Sequence, residues 1–216
     1  MAKIKKESLV DLIYARLRED IITLKLPLGK RLNVSEIQEQ LGVSSTPLRE
    51  ALNRLQQEGL ITNETNVGAS VLTLDEHDVA EIEELAYTLQ AAAVRFSMAR
   101  SDRDRLAREI ETQIIRYDGA KTPRERVKAV HELIGTFYHH CGNGRLDKSM
   151  IAIQGQMLLL RHIYAECTDG TENRGLFQAI HDAVAANDAD AVCDALLAYS
   201  RKNHPAICQW LKEHAS

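Results

Sequence analysis

Apolar residues along the first part of the chain follow the three- and four-residue spacing of amphipathic helices. The pattern predicts a helix over residues 7–24, which Pro27 prevents from continuing. A shorter helix is predicted from about Val34, with the Asn33 side chain at its N-cap. The apolar residue Leu41 near its end is expected to face inward.

A third helix is predicted to begin at Thr46 and Pro47, a capping residue followed by a proline that a first helical turn tolerates. Gly59 is expected to end this helix. Two short strands, residues 60–63 and 69–72, then flank a turn. The predicted order is helix, helix, turn, helix and β-hairpin, which is that of a winged helix-turn-helix.

After Leu74 only helical patterns follow. Six helices are predicted, at about 76–100, 103–118, 123–141, 144–167, 173–187 and 189–213. Because short breaks separate helices with one apolar stripe each, they are expected to pack against one another. The predicted fold class is mostly α, with an N-terminal winged helix-turn-helix, a small β-hairpin wing and a C-terminal antiparallel six-helix bundle. The predicted domains are residues 1–74 and 75–216.

Charge is unevenly distributed along the chain. The formal net charge is −4 at pH 7, yet residues 1–74 carry ten Lys and Arg against nine Asp and Glu. The acidic excess therefore lies in residues 75–216, which allows a small nucleic-acid-facing module attached to an acidic body. No apolar run approaches the roughly 20 residues of a membrane span. A secretory signal is not recognisable either, so we expect a cytoplasmic protein with no membrane partner.

Four cysteines lie in the helical part of the chain: Cys141, Cys167, Cys193 and Cys208. None forms a C-x-x-C pair, so we expect free thiols and no cysteine-based zinc site. The sequence also lacks the nucleophile, metalloprotease and phosphate-loop motifs of enzymes. We therefore expect no catalytic residues and no enzymatic activity.

The segment EIQEQLGVSSTPLREALNRLQQEGL is typical of two helices joined by a tight turn. The second helix of such a pair can lie in the major groove and present its first residues to base edges. Hydroxyl and backbone N–H groups suit phosphate oxygens, whereas Arg49 can reach a guanine or a phosphate. The residues expected to contact DNA are Arg31, Ser44, Ser45, Thr46, Arg49, Asn66 and Gly68. The alternative is a helical corner of an ordinary domain with a solvated arginine.

The runs IYARLREDIITLKLPLGKRL, VSSTPLREALNRLQQEGLI and NVGASV resemble the N-terminal domain of the GntR family of regulators. The helical remainder resembles the FCD effector domain of its FadR subfamily, through its helix count, Gly142-Asn143 and the run AIHDAVAANDADAV. The two resemblances cover almost the whole chain. They imply a transcriptional regulator that binds a pseudo-palindromic DNA operator as a homodimer, dimerises through the bundle and responds to a small-molecule effector. Whether such a regulator represses or activates depends on where its operator lies relative to the promoter.

Two positions depart from the family pattern. Ser45 and Val67 stand where the family usually or often has arginine. If both arginines contact phosphates, their loss would reduce the salt dependence of binding by about two phosphate equivalents. If they read bases, operator preference would change instead. These departures keep open an alternative, a helical ligand-binding or adaptor protein with a degenerate DNA-binding head.

The family's metal site, an aspartate and three histidines, is not matched. The corresponding positions are Val130, Ile134, Phe177 and Tyr199. Because three of these four side chains offer no ligand atom, we expect no bound metal or cofactor and apolar packing in its place. A rebuilt site from nearby histidines is the alternative. The histidines concerned are His131, His139, His140 and His181.

The resemblance also locates an effector pocket. Ala86 and Gln90 occupy positions where the family tends to have an arginine and a glutamate four residues apart. An apolar or larger effector, or none, is therefore favoured over a sugar acid or dicarboxylate. Arg161 and Arg174 are expected to be solvent-exposed, with replacement of the lost positive charge as the alternative. The residues expected to border the pocket are Ala86, Ile134, Arg161, Phe177 and Tyr199.

Overall fold

Three helices followed by a hairpin occupy the N-terminal part of the chain. The computed structural model describes residues 8–64, 68–168 and 171–214. The chain divides into two compact units between Thr73 and Leu74. The elements of the first unit are α1 (Leu9–Ile22), α2 (Val34–Leu41), α3 (Ser45–Gln57), β1 (Ile61–Glu64) and β2 (Gly68–Val71).

The starts and ends of these helices follow from local hydrogen bonding. The Asn33 side chain accepts from the backbone N–H groups of the first turn of α2, as the sequence predicted. Gly42 ends α2 with φ at +64°, a left-handed conformation that glycine adopts without strain. The expected cap of α3 is wrong, because the N-cap is Ser44 and Thr46 lies inside the first turn. Pro47 still fits there, since the first N–H groups of a helix have no intrahelical acceptor.

The core of the first unit forms between α1 and α3. Leu48 and Leu55 of α3 and Ile21 of α1 are fully buried. The inward orientation expected for Leu41 is wrong, since this side chain is 37% exposed and α2 buries none of its residues. The short helix therefore contributes little to the core, and its neighbour α3 is positioned mainly by α1.

The hairpin pairs β1 with β2 in antiparallel register, with Ile61 opposite Val71. The segment before α2 adds a further backbone contact to this sheet, through a bridge between Arg31 and Ser70. The N–H group of Leu32 donates to a carbonyl of β2 at 2.8 Å. The backbone of Arg31 is thereby fixed to the hairpin.

The second unit is helical throughout its described residues. Its elements are α4 (Glu76–Arg100), α5 (Arg103–Asp118), α6 (Pro123–His140), α7 (Gly144–Cys167), a 3₁₀ turn η1 (Thr171–Asn173), α8 (Arg174–Ala185) and α9 (Ala189–His214). The predicted fold class, a winged helix-turn-helix followed by a six-helix bundle, is confirmed. The 3₁₀ turn was not predicted.

Four helices of the bundle converge on one interior region. Helix α4 packs against α6, α7 and α9, and α7 also packs against α6 and α9. The adjoining core is dense and apolar around Phe137, Ile110 and Leu133, each at most 1% exposed. The region between α4, α6, α7 and α9 is less completely filled, and it contains the pocket described below.

Candidate DNA-binding surface and internal pocket

The leading end of α3 exposes a set of polar side chains, which we call the α3 surface. Its members are Ser44, Ser45, Thr46 and Arg49, all exposed. The Ser44 side chain makes no capping hydrogen bond. By contrast, the N-cap side chains of α1 and α2 accept from the backbone of their own helices. The first backbone N–H groups of α3 therefore have no side-chain cap, which suits an anion bound at this helix end.

The arginines of the first unit fall into two groups. Among the described residues, Arg31 and Arg49 are exposed and form no salt bridge. The other three each pair with a carboxylate of the same unit. These are Arg16 with Asp20, Arg18 with Glu58 and Arg54 with Asp11. The two arginines expected to contact DNA are thus the two that internal pairing leaves available.

The wing contributes one described candidate. Gly68 begins β2 with φ at +98° and is exposed, so the chain turns here in a conformation that disfavours larger residues. A Cβ atom at this position would meet nothing within 4 Å, so the backbone geometry rather than crowding favours glycine. Asn66 and Val67, the other wing positions considered from the sequence, lie outside the described residues.

A buried carboxylate holds α3 against α1. Glu58 follows the last residue of α3 and is only 9% exposed. The Arg18 guanidinium donates to both carboxylate oxygens of Glu58, from Nη2 to Oε1 at 2.7 Å and from Nε to Oε2 at 3.0 Å. The Tyr14 hydroxyl donates to Oε2 at 2.7 Å. The bidentate geometry fixes both the distance and the rotation of α3 relative to α1.

A second link joins the same two helices nearer the surface. The Arg54 guanidinium donates to Asp11 at 2.7 Å and lies 4.3 Å from the Tyr14 ring centroid. The hydrogen bond from Arg54, together with those from Ser8, lowers the pKa of Asp11 to about 2. This pairing occupies the Arg54 guanidinium, so Arg54 does not belong to the α3 surface.

The second unit contains a small pocket, with a cavity volume of about 30 Å³, where α4, α6, α7 and α9 meet. Four of the five residues expected to border it do so: Ala86, Ile134, Arg161 and Tyr199. Phe177 does not. Its ring packs with Tyr117 at a centroid distance of 4.9 Å and with Tyr199 at 5.6 Å, so it supports the pocket wall from behind.

Arg161 and Glu83 are the charged residues that line this pocket, and the expectation that Arg161 is solvent-exposed is wrong. Arg161 is 7% exposed, and no described carboxylate forms a salt bridge with it. Its Nη1 donates to Nδ1 of His131 at 3.2 Å, and it also bonds the Tyr199 hydroxyl. Its Nε has no partner among the described residues. Burial lowers the pKa of this guanidinium, yet an arginine remains protonated in proteins, so the pocket holds a cation without a described salt-bridge partner. Glu83, which lines the same pocket, pairs with His204 instead.

Further polar residues of the pocket wall were not identified from the sequence. Besides Gln90, which the resemblance placed at the pocket and which is 7% exposed, these residues are Tyr164, Ser200 and Asn203. Their hydroxyl and amide groups carry no sequence signature, because α7 and α9 present polar residues on several faces. Arg174, the other arginine considered, is partly exposed and pairs with Asp118 at 2.8 Å.

The histidines near the family's metal positions do not converge. His131 bonds Arg161, His140 bonds Glu109 at 2.8 Å, and His181 contacts its neighbour Asp182. His139 is exposed at the mouth of an adjoining pocket. The four positions that correspond to the family's ligands are all buried: Val130, Ile134, Phe177 and Tyr199. Three of them offer no ligand atom, so these residues do not fit the family's metal.

Curated relatives share part of this sequence. The Nta operon transcriptional regulator of Aminobacter aminovorans is 40% identical over 79 residues, which cover 37% of this chain and 38% of that protein. The HTH-type transcriptional regulator YdhC of Bacillus subtilis (strain 168) is 30% identical over 93 residues, which cover 43% of this chain and 42% of that protein. The chain thus spans less than half the length of these two relatives.

Solved structures share the fold over nearly the whole chain. E. coli McbR/YncC has a TM-score of 0.79 at 21% identity, with 94% of this chain and 99% of that chain covered. A GntR structure from Rhodococcus sp. RHA1 has a TM-score of 0.76 at 23% identity, with 93% and 98% covered. No helix among the described residues has both the length and the apolarity that crossing a membrane requires.

Two families match the sequence in succession. Residues 9–71 match "Bacterial regulatory proteins, gntR family". Residues 69–201 match "FCD domain". Because the FCD match alone covers more than half of the chain and a GntR match precedes it, the chain belongs to the GntR-type regulatory proteins that carry an FCD domain.

Proposed function

We propose that this protein is a transcriptional regulator that binds duplex DNA through the α3 surface. The observation that carries the proposal is the chemical state of that surface. It exposes three hydroxyl side chains and Arg49 at a helix end without a side-chain cap, and Arg49 forms no salt bridge among the described residues. Phosphate oxygens and base edges are the acceptors that such donors match.

In the proposed complex, the first turn of α3 enters the major groove. Ser44, Ser45 and Thr46 bond phosphates near the groove edge, and Arg49 reaches a guanine or a phosphate. Arg31, which is attached to the hairpin, clamps the backbone beside it. The wing that includes Gly68 and Asn66 lies toward the adjacent minor groove. Because Ser45 replaces a cation of the family pattern, the salt dependence of binding is expected to be smaller by about one phosphate contact per head.

We further propose that two copies bind a pseudo-palindromic operator. Two-fold symmetry in the protein would match two half-sites about one helical turn apart. Dimerisation through the second unit is supported by apolar side chains that this unit leaves about half exposed or more, Leu85, Ile115 and Ile151. The six α-helices of the unit and its FCD match support assignment to the FadR subfamily.

The second unit is proposed to bind a small-molecule effector that bears an anionic group. The proposed place is at Arg161, which lines both the small pocket and an adjoining one of about 120 Å³. A buried guanidinium with an unused N–H group and no carboxylate partner is stabilised by an incoming anion. This proposal differs from the sequence-based preference for an apolar or larger effector, or none. Bound effector would change operator affinity only if it bound the two arrangements of the heads unequally.

The function is tested with full-length protein and a fluorescent duplex from its own upstream region. Binding is followed by anisotropy for the wild type, for Arg49→Ala and for the control Arg103→Ala. Arg103 is a half-exposed arginine of the second unit, so its removal matches the loss of one charge. We expect Arg49→Ala to weaken binding by about 1–3 kcal/mol, roughly 5- to 150-fold, and Arg103→Ala to change it less than twofold.

Two results would contradict the proposal. If neither the wild type nor the variants bound at low salt, the adaptor alternative with a degenerate head would be favoured. If Arg103→Ala weakened binding as much as Arg49→Ala, the DNA contact would be a diffuse charge effect rather than recognition by the α3 surface. Either outcome is read from the same titration.

A further inference from the structure

A cluster of potential metal ligands lies between the first turn of α4 and the C-terminal half of α9. Glu76, His204 and Cys208 each offer one ligand atom, and these atoms lie within 4.8 Å of one another. His204 and Cys208 are four residues apart on α9 and therefore share a helix face. This His-x₃-Cys spacing differs from the C-x-x-C pairs by which cysteine-based zinc sites are recognised in a sequence.

The imidazole of His204 is oriented as a metal-binding histidine is. Its Nδ1 lies 2.7 Å from a carboxylate oxygen of Glu83, which is mostly buried. A carboxylate only accepts, so Nδ1 carries the proton and Nε2 presents its lone pair. That lone pair faces Cys208. A carboxylate that holds the far nitrogen of a ligand histidine is the usual supporting contact in zinc sites.

The spacing of the two ligand atoms on α9 fits a tetrahedral ion. Nε2 of His204 and Sγ of Cys208 are 3.4 Å apart. With a zinc–sulfur distance of about 2.3 Å and a zinc–nitrogen distance of about 2.1 Å, tetrahedral coordination separates these atoms by about 3.6 Å. The pair thus needs to move by only a few tenths of an ångström to hold the ion.

The remaining ligand can be released from its present partner. Glu76 pairs with Lys212 at 2.9 Å, and both side chains are more than half exposed. Such exposed pairs are weak and easily exchanged. A Glu76 carboxylate and a Cys208 thiolate together neutralise a divalent cation, while Cys208 itself is only 5% exposed and so shields the metal–sulfur bond from water.

We propose that Glu76, His204 and Cys208 form a zinc site with a fourth position open to solvent. A thiolate with an imidazole and a carboxylate selects zinc over magnesium and calcium, which prefer oxygen ligands. The site shares no residue with the family's metal positions, which are apolar here. Zinc bound at this place would join the first turn of α4 to α9, just after the segment that leaves the first unit.

The test uses full-length protein, stripped with a chelator and kept reduced. Cobalt(II) is titrated first, because a cobalt–thiolate bond gives a charge-transfer band and tetrahedral cobalt gives intense visible bands. Zinc affinity is then measured by competition with a chromophoric chelator. The variants are Cys208→Ser, which removes a ligand, and Glu83→Gln, which removes only the support of His204. The matched control is Cys167→Ser, an exposed cysteine outside the cluster.

We expect one metal per chain, a thiolate band that is lost in Cys208→Ser and kept in Cys167→Ser, and a zinc Kd raised about 10- to 100-fold in Glu83→Gln. Circular dichroism of each metal-free variant confirms that the fold is retained. A thiolate band that survives Cys208→Ser, or the absence of any such band in folded wild-type protein, would overturn the proposal. None of these measurements involves DNA, so the result is independent of the proposed regulator function.

Discussion

Replacing the buried arginine of the pocket should stabilise the protein. Arg161 is 7% exposed, has no described carboxylate partner and leaves its Nε without a hydrogen bond. Methionine has a similar length and no charge, so Arg161→Met keeps most of the packing between α4, α7 and α9. The variant therefore removes a desolvated cation with little loss of volume.

The magnitude follows from two opposing contributions. A buried charge without a counterion destabilises a fold by about 3–5 kcal/mol. The hydrogen bonds to His131 and Tyr199 offset about 1 kcal/mol each. The net gain in the free energy of unfolding is therefore about 1–3 kcal/mol, which raises the midpoint of thermal unfolding by roughly 3–9 °C.

The assay is thermal unfolding followed by circular dichroism, without and with a panel of small carboxylates and inorganic phosphate. The wild type should be stabilised by at least one of these anions, whereas Arg161→Met should be more stable without them and unresponsive to all of them. Arg174→Met is the control, because this exposed arginine should change stability by no more than about 0.5 kcal/mol. If Arg161→Met unfolded several degrees below the wild type, the guanidinium would be a structural group and the reasoning would be refuted.

Three further substitutions test the account of the fold. Glu58→Gln breaks the charged hydrogen bonds to Arg18 and should lower the stability of the first unit by about 2–3 kcal/mol in urea unfolding. Asp11→Asn should weaken the dependence of the free energy of unfolding on pH between about pH 4 and 2. Folding lowers the pKa of Asp11 from 3.8 to about 2, so the stability that Asp11 contributes is complete above about pH 4 and is lost as the pH falls toward 2. Gly42→Ala should cost about 1 kcal/mol, because this residue has φ at +64°.

Each of these substitutions has a matched control. Glu39→Gln removes an exposed carboxylate of α2 and should leave both the urea midpoint and this pH dependence unchanged. Gly135→Ala changes a glycine inside α6, where a Cβ atom makes only ordinary contact with His139, and it should stabilise by about 0.5–1 kcal/mol. Equal effects of Glu58→Gln and Glu39→Gln, or a destabilising Gly135→Ala, would contradict the corresponding explanation.

Helix positions were predictable because their signals are local. The N-cap at Asn33 and the left-handed glycine at Gly42 act on the residues beside them, and the structure shows both. Where several residues compete for one role, the sequence was ambiguous. Ser44, Ser45 and Thr46 can all cap a helix. Ser44 is the N-cap in the structure, and this position depends on the backbone conformation of the turn between α2 and α3.

Burial of individual side chains was less predictable, because it depends on packing between distant elements. Leu41 has the spacing of an inner position but remains exposed, since no neighbouring helix covers it. Arg161 resembles a surface residue in sequence but lies where four helices enclose it. The cluster of Glu76 with His204 and Cys208 combines residues that are more than 120 positions apart, so only the fold brings it together.

The central claim is that the α3 surface contacts duplex DNA, and amide hydrogen exchange tests it directly. The full-length protein is compared with and without a duplex from its own upstream region at low salt. Slower exchange is predicted for the amides of Ser45, Thr46, Leu48 and Arg49 and for the segment around Arg31, while exchange in the interior of α7 is unchanged. Slower exchange confined to the second unit, with these four amides of α3 exchanging at the same rate in both samples, would contradict the account.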